Sequence, residues 1–128
     1  MQCEVGTYTG DGLDGRTVTL AGAFAPDLVI VRGRAVVEAV WRSSAHVGDK
    51  AAYFSTNGSD SADFIQSFTA TGFTVGTDGH TNLNGRVYDY QAFRITGPTD
   101  LAVGVYAGDG TNPRTIAVGL TPVIVWVK

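Results

Sequence analysis

The sequence predicts an all-β fold, an antiparallel β-sandwich or barrel that is jelly-roll-like and contains at most one short helix. The first observation is compositional: the 128 residues include 17 glycines but only two lysines and two glutamates, so good surface-helix formers are scarce. The second is the recurrence of short runs rich in β-branched and aromatic residues. The third is that turn-forming residues separate these runs about every 8 to 12 residues.

The most informative pattern is an internal repeat, in which residues 5–32 resemble residues 103–128. At a constant offset of 98, eight of the fourteen residues from Val5 to Val18 are identical in the second copy. After a deletion of two residues, the segment from Pro26 to Arg32 aligns with the segment that ends at Lys128. We refer to 5–32 as the first copy and to 103–128 as the second copy.

Each copy predicts three strands. In the first copy, a strand that ends at Tyr8 is followed by a Gly-Asp-Gly turn, because glycine adopts the positive φ angles of a tight reversal. A second strand begins at Arg16, and a loop that contains Pro26 leads to a third strand at 28–32. The second copy predicts the same elements: a strand ending at Tyr106, a turn at 108–110, a strand beginning at Arg114 and a strand at 124–128.

Between the copies the pattern remains typical of β-structure. Strands are predicted at 36–42, 51–55, 73–75 and 87–95. The pair Asn84-Gly85 is a strong signal for a β-hairpin. The one helical candidate is Ser59–Phe68, where apolar residues recur at a spacing near three. No linker or charge block divides the chain, so we expect residues 1–128 to form a single domain.

Charge and hydropathy exclude several classes of partner. The net charge of −3 and the absence of a basic block argue against nucleic-acid binding. We expect Arg32, Arg34 and Arg42 to be strand-edge charges at the surface. No apolar run approaches the roughly 18 residues of a membrane span, and the N-terminus lacks the features of a signal peptide. We therefore expect no membrane partner and synthesis in a cytoplasm, with no intrachain disulfide because Cys3 is the single cysteine.

The motifs associated with chemistry favour turns over catalysis or cofactors. Residues 10–15 match the spacing of a dinucleotide-binding loop, but a β-like segment follows where that loop needs a helix. Aspartates in Gly-rich turns, Asp11, Asp14 and Asp109, and the group Asn57, Asp60 and Asp63 suggest calcium, although aspartate in a turn usually binds its own backbone.

Zinc bound by Cys3, His46 and His80 is a weaker alternative, because no paired ligand spacing supports it. We expect both histidines in exposed loops. The segment that leads from Ser43 to His46 lacks the setting of a nucleophile. The sequence thus predicts no enzyme, no cofactor and no metal ion.

Association between proteins is the function that the termini favour. The apolar run near the C-terminus has no charge before Lys128, and a terminal edge strand offers unpaired backbone groups to a neighbour. The residues predicted to contact another subunit or a capsid are Gln2, Val5, Thr7, Val123, Ile124, Val125, Trp126 and Val127. The aromatic side chains, Trp126 among them, favour ordinary packing, with a platform for sugars or a hot spot for a partner protein as alternatives.

The motifs together resemble a poorly characterised β-rich repeat family, found in tailed-bacteriophage virion proteins and in prophage-like bacterial proteins. They are Gly-x-Tyr-Thr-Gly-Asp-Gly at residue 6, Arg-Thr-Val at 16, Pro-Asp-Leu-Val-Ile-Val at 26, Ala-Val-Trp-Arg-Ser-Ser at 39, Gly-Asp at 48, Gly-Phe-Thr-Val-Gly at 72, Asn-x-Asn-Gly at 82 and Tyr-x-Tyr-x-Ala-Phe at 88. The resemblance covers roughly residues 5 to 128 and implies no catalytic residues. In longer members the unit recurs in tandem, which is consistent with the restart of the pattern at Val103.

The resemblance implies a structural protein of a bacteriophage virion. The size of the chain favours a capsid decoration protein, or cement protein, that stabilises the head by multivalent contacts with the major capsid protein or other virion proteins. Such proteins are often β-rich trimers, so we expect a homo-oligomer, with a trimer favoured. The alternative is a receptor- or glycan-binding module of a phage head or tail fibre.

Overall fold

A computed structural model describes residues 1–35, 38–55 and 58–128, and within them it forms eight β-strands. They are β1 (Gln2–Thr9), β2 (Arg16–Thr19), β3 (Leu28–Gly33), β4 (Val40–Ser43), β5 (Ala52–Tyr53), β6 (Ile65–Thr69), β7 (Gly72–Val75) and β8 (Val87–Arg94). Every strand pair is antiparallel, and the described residues contain no helix. The all-β antiparallel prediction is confirmed, as two packed sheets rather than a closed barrel among the residues described.

The larger sheet has five strands in the order β1-β8-β3-β4-β5. β8 organises it, because it pairs along its whole length with β1 and over six residues with β3. Its sequence alternates, so Tyr88, Tyr90 and Ala92 are buried while the residues between them face outward. β1 and β5 end the sheet on opposite sides.

The smaller sheet has three strands in the order β2-β7-β6. Phe73 and Val75 of β7 are fully buried and face the larger sheet, while Thr74 between them faces outward. There the hydroxyls of Thr74 and Ser67 lie 2.7 Å apart. A register shift between Ile65 and Ser67 marks a bulge in β6. The sheet therefore presents one apolar face to its partner and one hydroxyl-rich face outward.

The core lies between the sheets and is rich in aromatic rings. Tyr8 stacks on Tyr88 with ring centroids 5.2 Å apart, and Phe73 meets Tyr8 edge-on at 6.2 Å. The Tyr8 hydroxyl donates to the carbonyl of Thr81 at 2.6 Å, which satisfies its buried polar end. Burial raises the pKa of Tyr8 far above the usual range for tyrosine. Burying each ring stabilises the fold by roughly 1.5–3 kcal/mol, so these aromatic contacts hold the two sheets together.

The Gly-Asp-Gly turn of the first copy is fixed by one buried side chain. Asn82 donates to the carbonyl of Leu13 at 2.8 Å and to Asp11 Oδ1 at 3.1 Å, and it accepts the Asp11 N–H at 3.0 Å. Gly12 has a φ of +73°, which confirms the need for glycine in this turn. The turn leads into β2, a strand rather than a helix, so the dinucleotide-like spacing of residues 10–15 is confirmed as turn chemistry.

The three strands predicted for the second copy are wrong. Residues 101–128, all of which the structure describes, contain no strand and are almost entirely exposed. The prediction relied on sequence likeness to β1, β2 and β3, but each of those strands pairs with β7 or β8. In the described residues those pairing positions are already taken by the first copy.

Three further predictions need correction. Asn84-Gly85 forms a turn with a positive φ at Gly85, but it does not join a β-hairpin, because β7 and β8 lie in different sheets. The helical candidate Ser59–Phe68 instead enters strand β6 at Ile65. The predicted strand at 36–42 appears as β4, while residues 36 and 37 lie outside the described residues.

Candidate interaction surface

The predicted N-terminal contact residues lie on β1, at an end of the larger sheet. One side of β1 pairs with β8, and no strand pairs with its other side among the described residues. Val5 and Thr7 point outward, with Val5 71% exposed, whereas Gln2 is half-buried on the opposite face. β1 thus offers both an unpaired backbone edge and exposed side chains.

The predicted C-terminal contact residues form an exposed apolar run. Their exposed fractions are 99% for Val123, 86% for Ile124, 67% for Val125, 44% for Trp126 and 58% for Val127. Five consecutive large apolar side chains at the surface form the kind of patch that marks an interaction site in a folded protein.

Trp126 anchors this run to the larger sheet. Its ring stacks on Phe54 with centroids 4.2 Å apart and lies 4.6 Å from the ring of Trp41 on β4. Lys128 Nζ donates to the carbonyl of Tyr53 at 2.6 Å. The end of the second copy is therefore held at the β4–β5 side of the sheet by side chains rather than by a strand ladder.

The two predicted contact groups are not brought together. They lie at opposite sides of a five-stranded sheet, and four strand spacings correspond to roughly 19 Å. Between them the outer face of the sheet forms a shallow groove of about 590 Å³. Val5 and Thr7 line one side of the groove, Phe54 lines the other, and Ile30 lies between them. The contact groups thus flank one continuous surface.

Sequence reasoning missed this outer groove, although the signal was present. Ile30 and Val5 are apolar residues at outward positions of β3 and β1, where a half-exposed sheet usually carries polar residues. Asp89 lines the groove, and Arg34 binds it through both carboxylate oxygens, with the shortest contact at 2.7 Å from Nη2 to Oδ1. The hydrogen bonds from Arg34 lower the pKa of Asp89, which keeps that carboxylate charged.

Ser43, His46 and Asp60 lie in a row that superficially matches a catalytic triad. Ser43 Oγ is 3.1 Å from His46 Nδ1, and His46 Nε2 is 3.8 Å from Asp60 Oδ2. Nδ1 also accepts the backbone N–H of Ser43 at 3.1 Å, which places the ring proton on Nε2. Ser43 is only 4% exposed, so a substrate does not reach its hydroxyl. These contacts close the turn at 43–46.

The histidines are less exposed than the sequence predicts. The side chain of His46 is 9% exposed and that of His80 is 29% exposed, although both lie in loops. Burial lowers the pKa of His46, which keeps its ring neutral at pH 7. His80 packs against the rings of Tyr53 and Phe64. Both histidines therefore serve the packing of loops.

Arg42 is also not the surface charge that the sequence predicts. It is 7% exposed, and its Nη2 donates to the carbonyl of Gly48 at 2.7 Å. Its Nη1 donates to the carbonyl of Lys50, and the guanidinium lies 5.8 Å from the ring centroid of Phe68. Arg42 thus fixes the loop at 44–50 from the inside, a role that strand-edge reasoning did not detect. Arg32 and Arg34 are exposed, as predicted.

The turn aspartates mainly bind protein groups. Asp11 Oδ1 accepts the N–H of Leu13 at 2.9 Å, and Asp14 accepts from the amide of Gln66 at 2.8 Å. Within the residues that the structure describes, no three His, Cys, Asp or Glu side chains converge as ligands for a metal ion. Asn57 of the proposed calcium group lies outside the described residues.

Comparison of the chain with protein-family models, curated proteins and solved structures found no match. In the described part of the chain, no helix is long and apolar enough to cross a membrane.

Proposed function

We propose that this protein is a structural protein of a bacteriophage virion, most specifically a capsid decoration protein that binds the exterior of the head and stabilises it. Its partners are the major capsid protein or other virion proteins. It is made in the host cytoplasm and incorporated into the virion. The proposal rests on the sequence motifs described above and on the exposed surfaces of the fold.

The observation that carries the proposal is the exposed apolar run at 123–127. The side chains of Val123 and Ile124, 99% and 86% exposed, lie outside the core of the sandwich. Burying them against another protein gains roughly 25 cal/mol per Å² of apolar surface. A protein–protein interface is thus the role for which this segment is best suited.

Weak individual contacts are sufficient for such a role. A decoration protein binds a lattice that presents the same patch many times, so linked copies dissociate much more slowly than one copy does. We propose that the chain forms a homo-oligomer, with a trimer favoured, because several C-terminal runs then engage the lattice together. The unpaired edge of β1 is the surface best suited to contacts between subunits. The proposal includes no catalytic step.

The test is a pair of charge substitutions in the full chain. Val123→Asp with Ile124→Asp places two carboxylates in the apolar run without touching the core. We expect binding to phage capsids, measured by co-sedimentation, to weaken by about tenfold or more. Val47→Asp is the matched control, because Val47 is 86% exposed in a different loop. Equal binding by the double variant and the control would overturn the assignment of 123–127.

A receptor- or glycan-binding module is the second candidate, and one observation favours it. Trp126 and Phe54 border a pocket of about 390 Å³ that also contains Asp60 and Lys128, a combination of aromatic and charged groups suited to sugars. Glycan-array binding that is lost in Trp126→Ala, together with no binding to capsids, would favour this candidate over decoration.

A further inference from the structure

The second copy contains two glycines that its own surroundings do not require. A Cβ atom built on Gly104 or Gly108 meets nothing within 4 Å among the described residues outside its chain neighbours. Neither residue has a positive φ. Any small side chain would therefore fit both positions in this structure.

The equivalent glycines of the first copy are required by the surface on which they lie. A Cβ at Gly6 would lie 2.4 Å from the hydroxyl of Tyr90, and a Cβ at Gly10 would lie 2.3 Å from the carbonyl oxygen of Leu83. Both distances are far below van der Waals contact. These glycines allow the first copy to pack closely against β8 and the loop that precedes it.

We call this surface the seat: β7, β8 and the loop residues 81–83, on which the first copy packs. The first copy fills the seat with Tyr8, Val18, Leu20, Phe24, Val29 and Val31, all of them buried. The equivalent residues of the second copy are Tyr106, Ile116, Val118, Leu120, Val125 and Val127. Each of these residues is either identical to its counterpart in the first copy or another apolar residue. The second copy therefore has both the glycines and the side chains that the seat accepts.

The chain also places the second copy where it would enter the seat. The N-terminal ammonium group of Met1 forms an ion pair with the carboxylate of Asp100, so the start of β1 lies beside the start of the second copy. A strand that followed β8 through the short connection at 95–102 would run antiparallel to β8, as β1 does. Seating the second copy would thus produce a circular permutation of the same sandwich, which adjacent segment ends permit.

We propose that the second copy and the first copy are alternative occupants of the one seat in this chain, and that seating of residues 103–128 releases residues 1–33 as an arm. After the exchange the two sheets have the same number of strands, but the N-terminal segment is released from the sandwich and the C-terminal segment is packed in it. It concerns the isolated protein, so it stands or falls independently of binding to a virion.

Two polar residues explain why the first copy is the occupant in this structure. Glu4 accepts a hydrogen bond from the Tyr90 hydroxyl at 2.7 Å, and Asp27 accepts one from the N–H of Ile95 at 2.8 Å. The equivalent positions are Ala102, immediately before the second copy, and Val123 within it. It therefore enters the seat with fewer hydrogen bonds.

The test uses three full-length variants and amide hydrogen exchange. Gly10→Ala introduces a clash with the backbone of Leu83 and disfavours the first copy, whereas Gly108→Ala is the matched control with no neighbour. In the unsubstituted protein and in Gly108→Ala, we expect protection at 2–9 and none at 103–107. In Gly10→Ala, we expect protection at 2–9 to fall and exchange at 103–107 to slow by about tenfold or more, in a protein with the same oligomeric state as wild type.

The double variant Gly10→Ala/Gly108→Ala completes the test. Because it disfavours both occupants, we expect its melting temperature to fall by more than the two single changes combined. If Gly10→Ala leaves residues 2–9 protected, Gly6→Val places a branched side chain against Tyr90, whose hydroxyl lies 2.4 Å from the Cβ position of residue 6. The proposal is overturned if neither variant protects 103–107, if Gly10→Ala unfolds as fully as the double variant, or if protection appears only in a larger oligomer.

Discussion

Arg16 and Arg114 occupy equivalent positions in the two copies of the repeat and make the same two local contacts. Arg16 Nη1 lies 2.9 Å from Asp11 Oδ2, and Arg114 Nε lies 3.3 Å from Asp109 Oδ2. Each guanidinium carbon also lies 5.5 Å from the ring centroid of the tyrosine that precedes its own turn. The turns agree in backbone as well, with φ angles of +73° and +74° at the second glycine of each. This local structure therefore forms with or without a sheet around it.

The strands on either side of the turn differ completely between the copies. β1 pairs with β8 and buries Tyr8 to 9% exposure, whereas residues 103–110 form no strand and leave Tyr106 51% exposed. A turn is completed by contacts within a few residues, but a strand needs hydrogen-bonding partners from a distant part of the chain. The repeat therefore encodes its turn locally and forms strands only where it packs on the seat.

The largest expected effect comes from removing a side chain that holds the first copy. Phe73→Ala deletes a fully buried ring that contacts the rings of Tyr8 and Tyr90. We expect the free energy of unfolding, measured by urea denaturation, to fall by about 3–5 kcal/mol.

The control for that change is Phe54→Ala, which also removes a phenylalanine ring, but one that packs against Trp126 of the second copy. Phe54 is 37% exposed and stacks on Trp126. We expect a loss of no more than about 1 kcal/mol, with a shift in tryptophan fluorescence as Trp126 is released. Equal losses for the two variants would mean that the second copy is as firmly integrated as the first.

A smaller effect is expected from the residue that fixes the first turn to the seat. Asn82→Ala removes a fully buried amide. The N–H of Asp11 and the carbonyl of Leu13 then each lose the hydrogen bond that they form with Asn82. The loss of stability should be about 1–3 kcal/mol, because unpaired buried polar groups are costly. Asn112→Ala, an exposed amide beside the second turn, should change the melting temperature little. A thermal melt of Asn82→Ala that matches wild type would show that the turn needs no anchor.

The same contrast explains what the sequence could predict. The strands β7 and β8 were predicted closely, because alternation of buried and exposed residues reports a sheet with one apolar face. The strand at 124–128 was predicted wrongly, because periodicity says which residues suit a strand but not whether a partner strand is free. The turns were predictable in both copies, since Gly-Asp-Gly carries its own conformational preference.

Buried polar residues were the least predictable part of the molecule. Asn82 and Arg42 satisfy carbonyls that are distant in sequence or hidden inside a loop, and their neighbours in the chain give no sign of it. The predicted contact residues Val5 and Ile124 are exposed, but sequence reasoning did not show that they lie on opposite sides of one sheet. The residue types indicated which side chains would be exposed, whereas only the fold shows where on the surface those side chains lie.

A pH-dependent effect should distinguish the two copies, because Glu4 has no counterpart in the second. Burial raises the pKa of Glu4, but hydrogen bonds from Gly22, Tyr90 and Ala21 outweigh it and lower the pKa overall. The folded state therefore gains stability from Glu4 above its unfolded pKa, near 4.5, and loses it as the pH falls through the lower folded value. Glu4→Gln should lower stability at pH 7 and flatten its decline in acid, as followed by urea denaturation from pH 7 to pH 3. Parallel pH profiles for variant and wild type would contradict this.

The smallest effect tests whether the second turn forms without a sheet. A hydrogen bond from the N–H of Thr111 lowers the pKa of Asp109, just as one from Leu13 lowers that of Asp11. If the turn is local, both aspartates should titrate below the usual range in carboxyl-carbon NMR spectra. Thr111→Pro removes both the N–H and the hydroxyl that donate to Asp109, so it should raise the pKa of Asp109 alone. Because the second copy lies outside the core, the melting temperature of this variant should match that of wild type. An Asp109 that titrates like a free aspartate would mean that the second turn, like the strands around it, depends on the seat.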